Sequence, residues 1–128
     1  MDKFLLDTQI FIWWMEENKR LPFKIKSLID DPTNQIFISV VIPWEIVIKT
    51  KLKKLKAPKN FENYLKNDVF EIMPIQMVHV LAVGELPVYK DHNDPFDRLL
   101  IAQAKVEKLT LITSDQKIWK YKISLLKS

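Results

Sequence analysis

Short apolar runs alternate with helical patterns along the chain, and this alternation restricts its fold more than any other feature. Runs of branched and aromatic residues predict strands over residues 3–6, 35–39, 70–75, 109–113 and 121–126. Apolar residues at helical spacing predict helices over residues 8–17, 22–30, 39–55, 58–67, 76–85 and 94–107, with a further short helix around Trp119. Strands that alternate with helices favour a parallel sheet covered on both faces. We therefore expect an α/β fold with a central, mostly parallel sheet.

The length and composition predict one domain over residues 1–128. Hydrophobic residues make up 48% of the chain and charged residues 28%, which is ordinary for a globular protein and argues against disorder. There is no cysteine, so disulfides and thiolate metal sites are excluded, which fits a cytoplasmic protein. Asp7 and Gln9 interrupt the first apolar run, and the run over residues 36–44 is too short to cross a bilayer. We therefore expect a cytoplasmic protein without a membrane segment.

Carboxylates stand at the points where predicted strands end and predicted helices begin. Asp7 closes the first strand, and Asp115 follows the strand over residues 109–113. Glu45, Asp94 and Asp97 fall at the starts of helices that follow strands or loops. Ligands of parallel sheets bind outside the carboxyl ends of the strands, and helix starts can face the same edge. We therefore expect these acids to meet at one edge of the sheet.

Some of these acids also have a purely structural interpretation. Asp94 before Pro95 is typical of a helix start, and Asp97 in the first turn suits the helix dipole. Asp115 is a candidate N-cap of the short helix that carries Trp119. His79 and His92 are isolated in the sequence and are expected to be hydrogen-bonded structural residues rather than ligands.

Glu45 interrupts an apolar stripe of the helix over residues 39–55. The stripe has apolar members three or four residues apart, and we expect it to be buried; its members are Val41, Ile48, Leu52 and Leu55. Lys49 lies one turn after Glu45, so an ordinary helical ion pair is one explanation of this acid. A place in a site shared with the other acids is the second.

Several carboxylates in one cleft repel one another, and they coexist in ionised form only when cations neutralise them. Oxygen ligands without cysteine or a histidine cluster favour Mg²⁺ or Mn²⁺. Such ions activate water and stabilise charge on a phosphodiester. The net charge is +4, and the basic residues are densest at Lys49, Lys51, Lys53, Lys54 and Lys56. This lysine cluster is either the solvated end of a helix or a phosphate-binding surface, and the second interpretation indicates hydrolysis of nucleic acid.

Four segments carry a likeness to a known family. They are residues 5–8 (LLDT), 39–49 (SVVIPWEIVIK), 94–104 (DPFDRLLIAQA) and 111–115 (LITSD), and the third is the most specific. With the order of elements between them, they resemble the PIN-domain ribonucleases, and most closely the VapC-type toxins of prokaryotic toxin–antitoxin systems. Pro43 departs from the common pattern, which has a small or apolar helix former at that position.

The resemblance implies an α/β/α sandwich, Mg²⁺-dependent endonuclease activity on RNA, a cognate antitoxin and a homodimer. It implies a catalytic and metal-binding acidic quartet that consists of Asp7, Glu45, Asp97 and Asp115. Nearby polar side chains are expected to hold the carboxylates by hydrogen bonds, with Asp94 mainly a helix cap; they are Thr8, Asp94, Thr113 and Ser114. Contacts to RNA are expected from Lys49, Lys51, Lys53, Lys54 and Arg98.

Two other function classes stay open at this point. A non-catalytic module with the same scaffold would bind RNA or a protein partner without cleaving it. An aspartate-based phosphotransfer protein would use Asp7 as its nucleophile. The phosphatases of that class need a second aspartate two residues later, and this chain has Gln9 there.

Overall fold

The computed structural model describes residues 2–128 and contains strands and helices in alternation. The strands are β1 (Lys3–Leu6), β2 (Gln35–Ser39), β3 (Phe70–Met73), β4 (Thr110–Thr113) and β5 (Leu125–Lys127). The helices are α1 (Thr8–Glu16), α2 (Phe23–Asp30), α3 (Val41–Lys51), α4 (Phe61–Tyr64), α5 (Met77–Val83) and α6 (Pro95–Glu107). Among the helices of residues 2–128, none is both long and apolar enough to cross a membrane.

The five strands form one sheet in the order β3-β2-β1-β4-β5, and every pair of neighbours is parallel. Leu5 in the central strand is in register with Phe37 on one side and Leu111 on the other. Leu5 and Leu6 are fully buried, as expected for a parallel strand with both faces covered. The predicted α/β fold with a parallel sheet flanked by helices is confirmed.

The buried face of α3 differs from the predicted stripe. Ile48 and Leu52 are 40% and 57% exposed, so their assignment to the core was wrong. The helix ends at Lys51 and buries residues of its first half, which are Val41, Ile42, Glu45 and Ile46. Only this half contacts the core, and the exposed second half leaves its apolar side chains facing outward.

Several shorter elements are also smaller than predicted. The segment around Trp119 forms turns, so the predicted short helix there was wrong. Residues 58–67 contribute only α4, and residues 121–126 contribute only the beginning of β5. Ser39 ends β2, and its hydroxyl accepts a hydrogen bond from the backbone N–H of Val41, which begins α3. Pro43 fits in the first turn of α3 because its nitrogen needs no intrahelical partner there.

Candidate metal centre

Asp7 joins the central strand to the first helix. Its Oδ1 accepts a hydrogen bond of 2.8 Å from the backbone N–H of Ile10 and thereby caps α1. The side chain is buried, and burial raises the pKa of Asp7 to about 7. Hydrogen bonds from Thr113 and Ile10 oppose this rise in pKa, while the charges of Asp97 and Asp115 add to it. Ionised Asp7 is therefore costly unless a cation lies nearby.

The start of α6 holds two carboxylates in different roles. Asp94 Oδ1 accepts hydrogen bonds from the backbone N–H groups of Phe96 (2.9 Å) and Asp97 (3.0 Å), so Asp94 is the N-cap. Asp97 lies in the first turn of the helix and faces the cleft. Burial, followed by the charges of Asp94 and Glu45, raises the pKa of Asp97 to about 6. Asp94 therefore caps the helix, whereas Asp97 contributes to the cleft.

Lys49 bridges two of the acids. Its Nζ lies 2.6 Å from Glu45 Oε2 and 2.7 Å from Asp94 Oδ2. Partial burial opposes the charge of the ammonium, but the two carboxylates outweigh it and raise the pKa of Lys49 above its ordinary value. The Thr8 hydroxyl donates to Glu45 Oε1. The structure therefore contains the helical ion pair, and Glu45 also belongs to the acidic cleft.

The acidic quartet lines one cleft of about 340 Å³ at the carboxyl ends of β1 and β4. The side chains that line this cleft are Asp7, Thr8, Gln9, Glu45, Lys49, Lys54, Leu55, Asp97, Ser114, Asp115 and Ile118. Asp115 stands in the turn after β4, where its N–H donates to Thr113 Oγ1 and its Oδ1 accepts from the N–H of Lys117. The four acids come from four separate segments of the chain and are brought together by folding.

Asp97 is the carboxylate that two groups of candidate ligands share. One oxygen each of Glu45, Asp94 and Asp97 lie within 4.8 Å of one another. Asp97 and Asp115 also form such a group with a nitrogen of His92. Asp7 belongs to neither group, although it lines the same cleft. Asp97 is therefore the central acid of the cleft.

The other residues predicted to contact RNA differ in their position relative to the cleft. Lys54 lines the cleft, whereas Lys51 and Lys53 are exposed outside its lining. Arg98 is bonded within the protein, since its Nη1 donates to the carbonyl of Pro87 (2.9 Å) and to the hydroxyl of Tyr121 (3.0 Å).

Sequence reasoning did not assign His92 and Tyr121 to the site. His92 is buried, and its Nε2 lies 3.1 Å from Asp97 Oδ2. Its Nδ1 lies 2.8 Å from the hydroxyl of Tyr121. The position of His92 five residues before Asp97 was a signal that could have placed it here. Tyr121 follows β4 by eight residues and had no signal of its own.

Comparisons with known proteins place this architecture in a family. The family model described as the PIN domain matches residues 4–123. The chain belongs to the PIN domain family. No curated protein matches this PIN domain by sequence.

Solved structures resemble this PIN domain over nearly its whole length. VapBC2 from Rickettsia felis, bound to a DNA fragment from its promoter, has a TM-score of 0.71 at 20% identity and covers 98% of both chains. DNA-bound VapBC from Salmonella typhimurium has a TM-score of 0.71 at 18% identity and covers 99% of this chain and 98% of that one. FitAcB from Neisseria gonorrhoeae has a TM-score of 0.65 at 19% identity, with 97% and 96% covered. These likenesses show the shared fold.

The acidic cleft of this PIN domain fits a hard divalent cation. Its candidate ligands near Asp97 are carboxylate oxygens and one nitrogen of His92, and Mg²⁺ and Mn²⁺ prefer the oxygens. The raised pKa values of Asp7 and Asp97 show that their negative charges are poorly stabilised by the surrounding protein. A cation in the cleft would remove this cost, as it does in other crowded carboxylate sites.

Proposed function

We propose that this PIN domain is a Mg²⁺-dependent endoribonuclease and the toxin of a type II toxin–antitoxin module. The observation that carries the proposal is the convergence of Asp7, Glu45, Asp97 and Asp115 on one cleft. Carboxylates that approach one another in a partly buried place destabilise the fold, so their presence together favours a role in binding a cation.

The four acids have different proposed roles. Asp97 and Asp7 are the direct ligands, because Asp97 is central to the cluster and Asp7 is buried without a basic ion-pair partner among residues 2–128. Glu45 and Asp115 act through water or orient the attacking group. Mg²⁺ bound here would supply a more acidic water and stabilise negative charge on the phosphodiester. Thr8 and Thr113 hold Glu45 and Asp7 by hydrogen bonds.

The lysine cluster provides the electrostatic attraction for RNA. Lys54 lines the cleft, and the exposed Lys51 and Lys53 lie close to it in sequence. Positive charges beside a cleft attract a phosphate backbone and release its counterions. Direct contacts of RNA with Lys49 and Arg98 stay predictions, since the structure pairs both side chains within the protein.

The proposed partner is a cognate antitoxin. The structural neighbours include VapBC and FitAB assemblies and a toxin–antitoxin complex from Klebsiella pneumoniae, which supports such a partner for this chain. The homodimer, the single domain over residues 1–128 and the cytoplasmic location stay predictions. Measurement of the molar mass of the purified protein in solution, with and without its antitoxin, tests the homodimer.

The decisive experiment uses the purified full chain, freed of any bound partner. With Mg²⁺ it should cleave RNA, and EDTA should stop the cleavage. Asp97→Asn should remove cleavage because it deletes a central negative charge with little change of shape. Asp68→Asn is the matched control, since Asp68 is exposed and outside the cleft.

Three outcomes would contradict the proposal. Cleavage by Asp97→Asn at the parent rate would refute the role of this acid. RNA binding that persists with Mg²⁺ and with EDTA, without cleavage, would favour the non-catalytic module. An aspartyl phosphate at Asp7 that is labile to hydroxylamine would favour the phosphotransfer protein.

A further inference from the structure

A chain of hydrogen bonds runs from the loop before α6 to the central acid of the cleft. The Arg98 guanidinium is anchored on the carbonyl of Pro87 and also donates to the hydroxyl of Tyr121. The Tyr121 hydroxyl lies 2.8 Å from Nδ1 of His92, and Nε2 of His92 lies 3.1 Å from Asp97 Oδ2. Both rings are buried, His92 being 4% and Tyr121 3% exposed. The contacts of Tyr121 with His92 and Arg98 join residues 29 and 23 positions apart and therefore depend on the complete fold.

The donors in this series of hydrogen bonds determine which ring nitrogen of neutral His92 carries the proton. Arg98 can only donate, so the oxygen of Tyr121 accepts its hydrogen bond. The single proton of the Tyr121 hydroxyl is then available to Nδ1 of His92, its other partner among residues 2–128. Nδ1 accepts this proton's hydrogen bond, so the neutral ring carries its own proton on Nε2. Nε2–H therefore donates to Asp97.

The tautomer with its proton on Nδ1 would leave the Tyr121 hydroxyl and Nε2 of His92 without suitable hydrogen-bond partners. With its proton on Nδ1, His92 would give Tyr121 a second donor and leave the tyrosine proton without an acceptor. Its bare Nε2 would then face a carboxylate oxygen, and two acceptors repel each other. Both contacts thus favour the Nε2–H form. A ring nitrogen that carries a proton cannot bind a metal ion, although His92 lies within reach of Asp97 and Asp115.

We propose that His92, oriented by Tyr121 and Arg98, is a positioning residue that holds Asp97 for metal binding and is not itself a ligand. This inference rests on the proposed function, since it concerns the same metal site. The bond to Nε2–H restrains Oδ2 of Asp97 and leaves Oδ1 without a hydrogen bond among the described residues. Partners that orient a ligand in this way commonly change metal affinity by about 10-fold to 100-fold.

The first test measures Mn²⁺ affinity of the full chain by electron paramagnetic resonance of the free ion, with Mg²⁺ as competitor. His92→Ala should weaken binding by about 10-fold or more. His92→Gln should bind more tightly than His92→Ala, because its amide can present an N–H near the place of Nε2. Tyr121→Phe should weaken binding by a smaller factor, since it removes only the hydroxyl.

The matched control is His79→Gln. His79 is also buried, and its Nε2 lies 2.7 Å from Glu107, but unlike His92 it has no hydrogen bond to an acid of the cleft. It should lose stability in urea and keep the parent affinity for Mn²⁺. Parent affinity in both His92→Ala and Tyr121→Phe would overturn the proposal. Loss of binding in His92→Ala and His92→Gln alike, with none in Tyr121→Phe, would instead make His92 a ligand.

The second test needs no variant. A long-range ¹H–¹⁵N correlation spectrum of the parent distinguishes a protonated ring nitrogen from a bare one. We expect His92 to keep a bare Nδ1 and a protonated Nε2 both without and with Mg²⁺. A bare Nε2 in either state would overturn the proposal.

These measurements separate the positioning role from nuclease activity. A parent that cleaves no RNA, yet binds Mn²⁺ and loses affinity in the His92 and Tyr121 variants, refutes the proposed function and leaves the positioning role standing. A parent that cleaves RNA with Mg²⁺ while these variants keep their affinity refutes only the positioning role. A parent that binds no divalent ion overturns both.

Discussion

Asp7→Asn should stabilise the metal-free protein above neutral pH. The pKa of Asp7 is about 7 in the fold against an ordinary value of 3.8, because the carboxylate is buried and faces two other acids. This difference corresponds to about 4 kcal/mol of destabilisation once Asp7 is ionised in the fold. Asparagine caps a helix about as well as aspartate, so the bond to Ile10 survives. A poorer bond to Thr113 costs about 1 kcal/mol, which leaves a gain of about 3 kcal/mol.

The sign of the pH dependence follows from the raised pKa. Between pH 4 and pH 7 the folded chain holds a proton on Asp7 that the unfolded chain has lost. The free energy of unfolding of the parent therefore falls as the pH rises through this range and levels off above it. Asp97, with a pKa of about 6, contributes a slope of the same sign. Asp7→Asn should remove the larger part of the slope and leave the part due to Asp97.

The assay is urea unfolding in EDTA at several values of pH from 5 to 8, followed by circular dichroism. Asp68→Asn is the control and should keep the parent slope, since Asp68 is exposed. Mg²⁺ should stabilise the parent at pH 8 much more than it stabilises Asp7→Asn, because the cation offsets the same charge. A parent whose stability is flat or rises between pH 5 and pH 7, or an Asp7→Asn variant with an unchanged slope, would refute the reasoning.

Two further changes test the basic side of the cleft. Lys49→Met should lower the free energy of unfolding because it leaves the carboxylates of Glu45 and Asp94 without their ion-pair partner. We expect a loss of about 2 kcal/mol, which lies between the values for exposed and for buried ion pairs. Urea unfolding in EDTA measures this loss, and parent stability would contradict it. Reversing the charges of Lys51, Lys53 and Lys54 should weaken RNA binding and reduce its salt dependence, as measured by filter binding. An unchanged affinity with an unchanged salt slope would exclude these lysines from the RNA surface.

Local pattern was enough to predict the sheet and the places of the acids. The run at residues 4–6 is apolar throughout because this part of β1 is covered on both faces, and Asp7 comes directly after it. Asp94 and Pro95 predicted the start of α6, and the hydrogen bonds of the cap are found there. Parallel strands send their carboxyl ends to one edge, so the meeting of Asp7 and Asp115 in one cleft followed from topology.

Features that depend on tertiary contacts were not predictable in this way. The stripe that ends in Ile48 and Leu52 has a good helical period, but the second half of α3 extends beyond the core, so both side chains are exposed. His92 and Tyr121 are 29 residues apart and meet only in the fold. A single sequence contains no signal for the direction of their hydrogen bond, which decides where the His92 proton lies.

The distribution of charge in the cleft favours one side of Asp97 over the other for the proposed cation. On the side of Glu45 and Asp94, the ammonium of Lys49 already lies within 2.7 Å of both carboxylates. On the side of Asp7 and Asp115, neither acid has an ion pair with a lysine or arginine among residues 2–128. The uncompensated negative charge is therefore greatest there. The proposed divalent cation would therefore gain most beside Asp7, Asp97 and Asp115, since Lys49 already pairs with Glu45 and Asp94.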